Sequence, residues 1–206
     1  MILSHIIKPV KDIDEAPPQK TGAKTDIKHC IRTSNEKEGF LLYRQARNNL
    51  LNINHWQKLA GKLSAEFCLT DPFGKLVQRL PLQGDFIRIH LPASSDNKFD
   101  WVRIEAIEEQ KLHEHLNWIM IRVRPSDPPK EQEETEHFFS KEATSSFLVE
   151  HAGRKVEASV KGRNELPNVE IHGLINKIRN LLIGLGAMIG LNYPQWKALV
   201  KGILTK

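Results

Sequence analysis

The sequence predicts an α+β fold in which a curved antiparallel sheet of about six or seven strands has helices before it and a long helix after it. Three observations predict this class. Apolar and polar residues alternate between residues 85 and 124, apolar residues recur every three or four positions over residues 36–61, and a broad apolar stripe runs over residues 171–188. Because a period of two indicates strands and a period near 3.6 indicates helices, the strands lie between two helical regions.

Three central strands are predicted where the alternation is clearest, over residues 85–91, 99–107 and 117–124. The charged stretch between the last two, residues 108–116, is predicted to be an exposed linker. The proline-rich residues 125–129 are expected to end this series, because proline cannot donate a hydrogen bond within a sheet.

Two hairpins are predicted on either side of the central strands. The first joins residues 65–70 to residues 75–79 through the turn sequence that begins at Asp71. The second joins residues 146–150 to residues 155–161 through an Ala-Gly turn. Both pairs would extend the sheet with antiparallel strands.

The N-terminal helical region spans residues 36–61, and its apolar stripe is typical of a helix that packs on a sheet. Asn54 followed by Gln57 is typical of a capping box, so a second, short helix is expected to begin there and to end at Gly61. After the long C-terminal helix, a further helix is expected to begin at Asn192, since asparagine is a favoured N-cap residue.

The chain is predicted to divide into a flexible N-terminal arm, residues 1–28, and a single α+β domain, residues 29–206. The arm is rich in proline and charged residues, which gives it little apolar surface to bury. A short first strand is expected over residues 27–32. An acidic loop near residues 127–136 is predicted to be disordered for the same reason as the arm.

The composition predicts a soluble protein, with 40% hydrophobic residues, 27% charged residues and a formal net charge of +5. The basic excess lies in residues 1–62 and 143–206. The start of the chain lacks the features of a signal peptide, and the longest apolar stretch is about half of a membrane span. Cys30 and Cys68 are predicted to be buried free thiols in a reducing compartment. A cytoplasmic protein without a membrane span is therefore expected.

No motif with strong catalytic meaning occurs in the sequence. The glycine-rich residues 183–190 resemble the phosphate loop of dinucleotide-binding domains, but only 16 residues follow them and none is acidic. His113 and His115 alternate as strand ligands would, whereas zinc sites need three or four ligands. The sequence thus predicts no catalytic residue, no metal site and no cofactor, and it favours a non-enzymatic protein.

The two faces of the predicted sheet differ in their chemistry. One face is apolar, and the other mixes tryptophan with arginine. The mixed face suits nucleic-acid binding, the lining of a cavity, a protein interface, or an outer face that the helices partly cover and along which arginine stems lie. These alternatives stay open at this point. The face carries four candidate binding residues: Trp101, Arg103, Trp118 and Arg122.

A fifth candidate binding residue, Arg163, begins the polar stretch of residues 163–168 that joins the last strand to the C-terminal helix. Asn168 suits the N-cap of that helix, and Pro167 would fix the direction in which the chain enters it. Helix capping and ligand binding are therefore alternative roles for this polar cluster.

The order of a first strand, helices, five or more strands and a long helix is similar to the helix-grip architecture of lipid- and polyketide-binding proteins. This similarity concerns the fold alone. The leading hypothesis is a binding protein that holds an apolar or amphipathic small molecule between the sheet and the C-terminal helix. Two alternatives are binding of nucleic acid or an acidic partner through the Trp/Arg face, and a structural component that assembles through the apolar helical face of residues 174–188. Strand order and oligomeric state stay open.

Overall fold

The computed structural model describes residues 16–61, 64–90, 99–113, 115–129, 141–166 and 194–205. Its main element is a seven-stranded antiparallel sheet with the strand order β1-β7-β6-β5-β4-β3-β2. The strands are β1 (Ala23–Arg32), β2 (Glu66–Thr70), β3 (Phe86–His90), β4 (Asp100–His113), β5 (Leu116–Pro125), β6 (Thr144–Ala152) and β7 (Lys155–Glu165).

The described helices pack on one face of this sheet, which we call the inner face. They are α1 (Glu36–Leu51), α2 (Trp56–Ala60) and α3 (residues 194–203), and a short 3-10 turn, Ile53–His55, joins α1 to α2. The predicted α+β class is confirmed: in chain order, helices precede and follow the main set of antiparallel strands. The predicted long helix over residues 171–188 and the glycine-rich residues 183–190 lie outside the described residues.

The first strand begins earlier than predicted, at Ala23 instead of residue 27. The residues just before it are held by the side chain of Asn164, whose Oδ1 accepts hydrogen bonds from the backbone N–H groups of Lys20 (2.8 Å) and Thr21 (3.2 Å). This end of the predicted arm therefore contacts the sheet. Residues 1–15 of the arm and most of the predicted acidic loop lie outside the described residues.

The linker predicted over residues 108–116 was wrong, because strand β4 continues to His113 and pairs with β5 along this stretch. One of its charged residues, Glu109, has a partner on α1. Glu109 accepts hydrogen bonds from the guanidinium of Arg47 on α1, at 2.6 and 2.8 Å. A bulge next to Ile104 shifts the register, so the alternation of the first half of the strand does not continue into the second half.

The first predicted hairpin forms only in part: the N–H of Val77 donates to the carbonyl of Leu69 at 3.0 Å, but residues 75–79 form no strand and β2 pairs with β3 along its other edge. A single bridge joins Thr70 to Leu76. The side chain of Asn54 explains why the pairing stops: its Oδ1 accepts from the N–H of Leu69 (2.8 Å) and its Nδ2 donates to the carbonyl of Val77 (2.9 Å). Asn54 thus closes the edge of β2 and does not cap α2, contrary to the predicted capping box. The second predicted hairpin is confirmed as β6 and β7.

The core lies between the inner face and the helices. At its centre, the rings of Trp56 and Phe147 have centroids 4.7 Å apart, and the ring of Trp196 on α3 lies 5.3 Å from that of Phe147. The indole N–H of Trp56 donates to the carbonyl of Leu50 at 3.0 Å, which satisfies the one polar group of this buried ring. Helix α3 therefore contacts the sheet directly through an aromatic side chain.

Helix α1 approaches the turn between β6 and β7 at Gly39. A Cβ atom at this position would lie 2.3 Å from the carbonyl oxygen of Gly153, which is a backbone atom that cannot easily move. Gly153 itself has a φ of 58°, a conformation that glycine adopts without strain. The contact between these two glycines sets the distance from the helix to the sheet.

We expect Gly39→Ala to lower the free energy of unfolding by about 1–3 kcal/mol, because the added methyl group would overlap the backbone of the turn. Helix propensity alone predicts the opposite sign, a gain of up to about 1 kcal/mol. Urea denaturation measures the change, with Lys37→Ala at an exposed position of the same helix as the control. Equal or greater stability of Gly39→Ala would contradict the close approach.

The histidine beneath α1, His151, is buried and neutral. Its Nε2–H donates to the carbonyl of Gly153 at 2.8 Å, so its Nδ1 accepts from the Nδ2–H of Asn117 at 3.2 Å. Its ring stacks on that of Tyr43, with centroids 5.6 Å apart. Burial is the main cause that lowers the pKa of His151 below its ordinary value of 6.5. The backbone hydrogen bond to Gly153 opposes this effect.

We expect the free energy of unfolding to decrease as the pH falls below about 6.5, because the unfolded chain then protonates His151 while the folded chain keeps it neutral. The contribution of neutral His151 to the free energy of unfolding is complete above that pH, and it is lost as the pH decreases through the folded-state pKa. Urea denaturation between about pH 7 and about pH 5 measures it. The decrease should be smaller in His151→Gln and unchanged in His55→Gln, a variant at an exposed histidine.

Candidate binding face of the sheet

The face of the sheet opposite the helices, which we call the outer face, carries the predicted tryptophan and arginine residues in three separate groups. Trp101 and Arg103 lie near the β2 edge, Trp118 and Arg122 lie at the centre, and Arg163 lies near the β1 edge. The structure thus brings four of these residues together in pairs, and strand order determines the pairs.

The pair near the β2 edge belongs to a group of aromatic and arginine side chains on β3 and β4. Trp101 is half-buried and lies edge-on to Phe86, with ring centroids 6.5 Å apart. The guanidinium of Arg88 lies 4.3 Å from the centre of the Phe99 ring, which is the geometry of a cation–π interaction. Arg103 is exposed and is paired across the strands with Phe86.

The central group is built around a small apolar cluster of Trp118, Met120 and Leu148. All three side chains are buried, and the register of β5 against β6 places Met120 directly opposite Leu148. The indole N–H of Trp118 donates to Oε1 of Gln110 at 2.9 Å, so its polar group has a partner. We call this cluster the outer cluster. It is separate from the main core, which lies across the sheet.

Basic groups lie at one end of the outer cluster. Ser146 on β6 is paired with Arg122 on β5 and with Lys161 on β7, so the two cations stand on either side of it. The Nε–H of Arg122 donates to the Ser146 hydroxyl at 3.4 Å. Burial lowers the pKa of Lys161, and the nearby charge of Arg163 lowers it further. Two basic side chains, Arg122 and Lys161, therefore lie at this end of the outer cluster.

Acidic groups lie at the other end of the outer cluster. Glu150 on β6 is paired with Trp118 on one side and with Glu157 on the other. Burial raises the pKa of Glu150, and the charge of Glu157 contributes in the same direction. The Nζ of Lys155 lies 2.7 Å from Oε2 of Glu157, so this end of the outer cluster holds two carboxylates and one cation.

A hydroxyl group beside the outer cluster has its hydrogen-bonding capacity unused. Ser159 is buried and is paired with Leu148, and its Oγ has no hydrogen-bond partner among the residues that the structure describes. A buried hydroxyl without a partner costs about 1–3 kcal/mol, so such groups are uncommon in folded proteins. Ser159 could donate a hydrogen bond to a bound molecule.

Arg163 connects the edge strand β1 to the rest of the sheet. Its Nη1 donates to the carbonyls of Thr25 (3.1 Å) and Gly162 (2.7 Å), and its Nη2 lies 2.7 Å from Oδ1 of Asp26. The buried guanidinium is thus hydrogen-bonded to atoms of β1 and β7. They support a bracing role for this side chain.

Sequence reasoning missed the contribution of β6 to the outer face. Ser146, Leu148 and Glu150 alternate with Phe147 and Val149 of the core, and this alternation is present in the sequence. It could have placed all three on the second face. The neighbours that they acquire on β5 and β7 depend on strand order, which only the structure reveals.

Other sequence expectations concern single groups. Cys30 is exposed on β1, which corrects the prediction of a buried thiol, and Cys68 is partly buried on β2. Within the described residues, no three His, Cys, Asp or Glu side chains are grouped so that they could hold a metal ion. No helix in the same part of the chain has the length and hydropathy needed to cross a membrane.

The chain is an α+β protein with a helix-grip-like order of elements. No family model matches it, and no curated protein does. A hypothetical protein from Helicobacter pylori has a similar structure, with 13% identity, a TM-score of 0.48 and coverage of 97% of this chain and 96% of that chain. Truncated norcoclaurine synthase from Thalictrum flavum has 10% identity, a TM-score of 0.39 and coverage of 92% and 99%. Identities and TM-scores this low carry no argument about function.

We expect Arg163→Met to lower the free energy of unfolding by about 2 kcal/mol, because it leaves buried carbonyls without donors. Hydrogen exchange should accelerate most at the β1 amides, which lose their bracing contact. Lys24→Met is the matched control, because Lys24 also pairs with Asp26, at 3.1 Å, but on the exposed surface. Its effect should be no more than about 0.5 kcal/mol. Equal effects of the two substitutions would contradict the bracing role.

Proposed function

We propose that this chain is a non-enzymatic binding protein that holds an amphipathic small molecule with an anionic group on the outer face of its sheet. This differs from the site predicted between the sheet and the C-terminal helix, whose residues 171–188 lie outside the described residues. One observation carries the proposal: an apolar cluster, separate from the core, has cations at one end and carboxylates at the other. An antiparallel sheet with helices on one face ordinarily has a polar second face. The outer cluster departs from that pattern.

Binding would require the chain that covers Trp118, Met120 and Leu148 to move aside, because these side chains are 8%, 0% and 0% exposed. The apolar part of the ligand would then contact them. A tryptophan with its N–H already bonded to Gln110 offers its ring as a purely apolar contact. Methionine adapts its shape to irregular ligands because its side chain is unbranched and flexible. Ligand pockets commonly combine such an apolar surface with a few polar groups that fix orientation.

The anionic group of the ligand would lie at the end formed by Arg122 and Lys161. Their strands are separated by β6, so their backbones are about 10 Å apart, and both long side chains can reach one carboxylate or phosphate between them. Glu150 would disfavour an anion at the opposite end, where Glu157 is paired with Lys155. The ligand would therefore bind in one orientation, with the Ser159 hydroxyl available as a donor beside the apolar floor.

A second candidate function is binding of single-stranded nucleic acid or an acidic partner. The observation that favours it is the group near the β2 edge, where the half-buried Trp101, the exposed Arg103 and the Arg88–Phe99 pair combine rings with cations. This function requires affinity that decreases steeply with salt and with Arg103→Ala. The third hypothesis, assembly through residues 174–188, concerns residues outside the described part of the chain.

We expect a long-chain fatty acid to change the tryptophan fluorescence of the protein and Trp118→Phe to remove most of the change. Lys161→Met should weaken binding of the fatty acid at least about tenfold, which is the loss expected for one charge-assisted hydrogen bond. It should leave binding of the fatty alcohol of equal length unchanged. Lys28→Met is the matched control, because Lys28 is exposed on the same face and paired with Ser159. Equal binding of acid and alcohol by wild type would contradict the anion site, and binding of neither would contradict the function.

A further inference from the structure

The connection between β2 and β3 exposes an unusual concentration of large apolar side chains. Phe73 is 72% exposed, and Leu76, Leu80 and Leu82 are 52%, 58% and 58% exposed. We call residues 71–84 the apolar loop. Isolated exposed leucines are common on protein surfaces, whereas several large apolar side chains exposed on one short segment indicate a surface that binds a partner.

The apolar loop is held in one conformation by polar contacts directed inward. At its start, Oδ1 of Asp71 accepts from the N–H groups of Phe73 and Lys75, both at 2.9 Å. At its end, the buried carboxylate of Asp85 accepts from Arg79 at 2.6 and 2.9 Å and from the N–H of Leu82 at 2.8 Å. The polar groups thus hold the loop while the apolar side chains face outward.

These contacts also determine the charge that the apolar loop presents. The carboxylate of Asp71 is bonded to turn amides, and that of Asp85 is buried and paired with Arg79. Lys75 is exposed on the loop, and Arg103 is exposed beside the point where Asp85 pairs with Ile104 of β4. The surface therefore combines apolar tips with positive charge, which is complementary to an anionic surface.

The size and shape of this surface suit a bilayer better than a protein partner. The four apolar side chains together expose on the order of 400 Å², about half of what one partner buries in a standard protein complex. They project from a loop and do not line a groove. Insertion at the boundary between lipid headgroups and acyl chains needs projecting apolar groups and nearby cations, but no complementary shape.

We propose that the apolar loop docks this protein on anionic lipid surfaces. Phe73, Leu76, Leu80 and Leu82 insert at the headgroup boundary, and Lys75 contacts the anionic headgroups. Docking of this kind is peripheral and requires no membrane-spanning helix. It is also independent of the outer cluster, because the two surfaces share no residue.

Flotation of the full chain with vesicles tests the proposal. Vesicles of phosphatidylcholine with about 30% phosphatidylglycerol should bind the protein, and pure phosphatidylcholine vesicles should bind it more weakly. Leu80→Gln combined with Leu82→Gln should reduce the partition coefficient at least about tenfold. Leu41→Gln is the matched control, because Leu41 is 52% exposed on α1, away from the loop. This variant should bind vesicles as the wild type does. Lys75→Glu should weaken binding to the anionic vesicles specifically.

Several results would overturn the proposal. They are absence of wild-type binding to anionic vesicles, undiminished binding by the double variant, and equal losses in the double variant and in Leu41→Gln. Light scattering provides a further test: a wild-type dimer that becomes a monomer in the double variant would assign the loop to contact between copies of the chain. Circular dichroism tests whether each variant is folded. We expect all of them to fold, since substitutions at exposed positions change the free energy of unfolding by about 0.5 kcal/mol or less. Lys161→Met should bind vesicles normally, which separates this test from that of the proposed ligand site.

Discussion

The register of β5 against β6 is the constraint on which both faces of this protein depend. Ile119 lies opposite Val149 in the main core, and the next residue, Met120, lies opposite Leu148 in the outer cluster. Because side chains alternate between faces, a slip by one residue would exchange the two sets. Burial on both sides makes such a slip costly, so the central strands hold the core and the candidate binding face in place together.

Polar side chains define the limits of the sheet. Asn54 occupies the edge of β2, Arg163 braces β1, and the Gly39–Gly153 contact positions α1 over the β6–β7 turn. An open sheet edge invites pairing with another chain, and such devices limit it. Asn54 also donates to the carbonyl of Val77, which lies within the apolar loop. The same side chain therefore closes an edge and positions a surface that we assign to lipid docking.

The candidate binding face was only partly predictable from the sequence. Alternation placed Trp101, Arg103, Trp118 and Arg122 on one face, and the structure places them there. It could not predict that Trp118 would be buried in an apolar cluster while Arg103 stays exposed, because burial depends on neighbouring strands. Arg163 was predicted to lie in the junction beyond the last strand, whereas β7 extends to Glu165. Its contacts with Thr25 and Asp26 join residues more than a hundred positions apart.

The sequence by itself determined the α+β class, the β6–β7 hairpin and the apolar stripe of α1, because these depend on local periodicity and turn residues. Tertiary structure decided the rest. It extended β4 through the charged stretch, since the paired strand β5 and Arg47 supply partners that local composition cannot reveal. It also interrupted the predicted first hairpin, because Asn54 binds the N–H of Leu69 and the carbonyl of Val77, which would have bonded to each other in that hairpin.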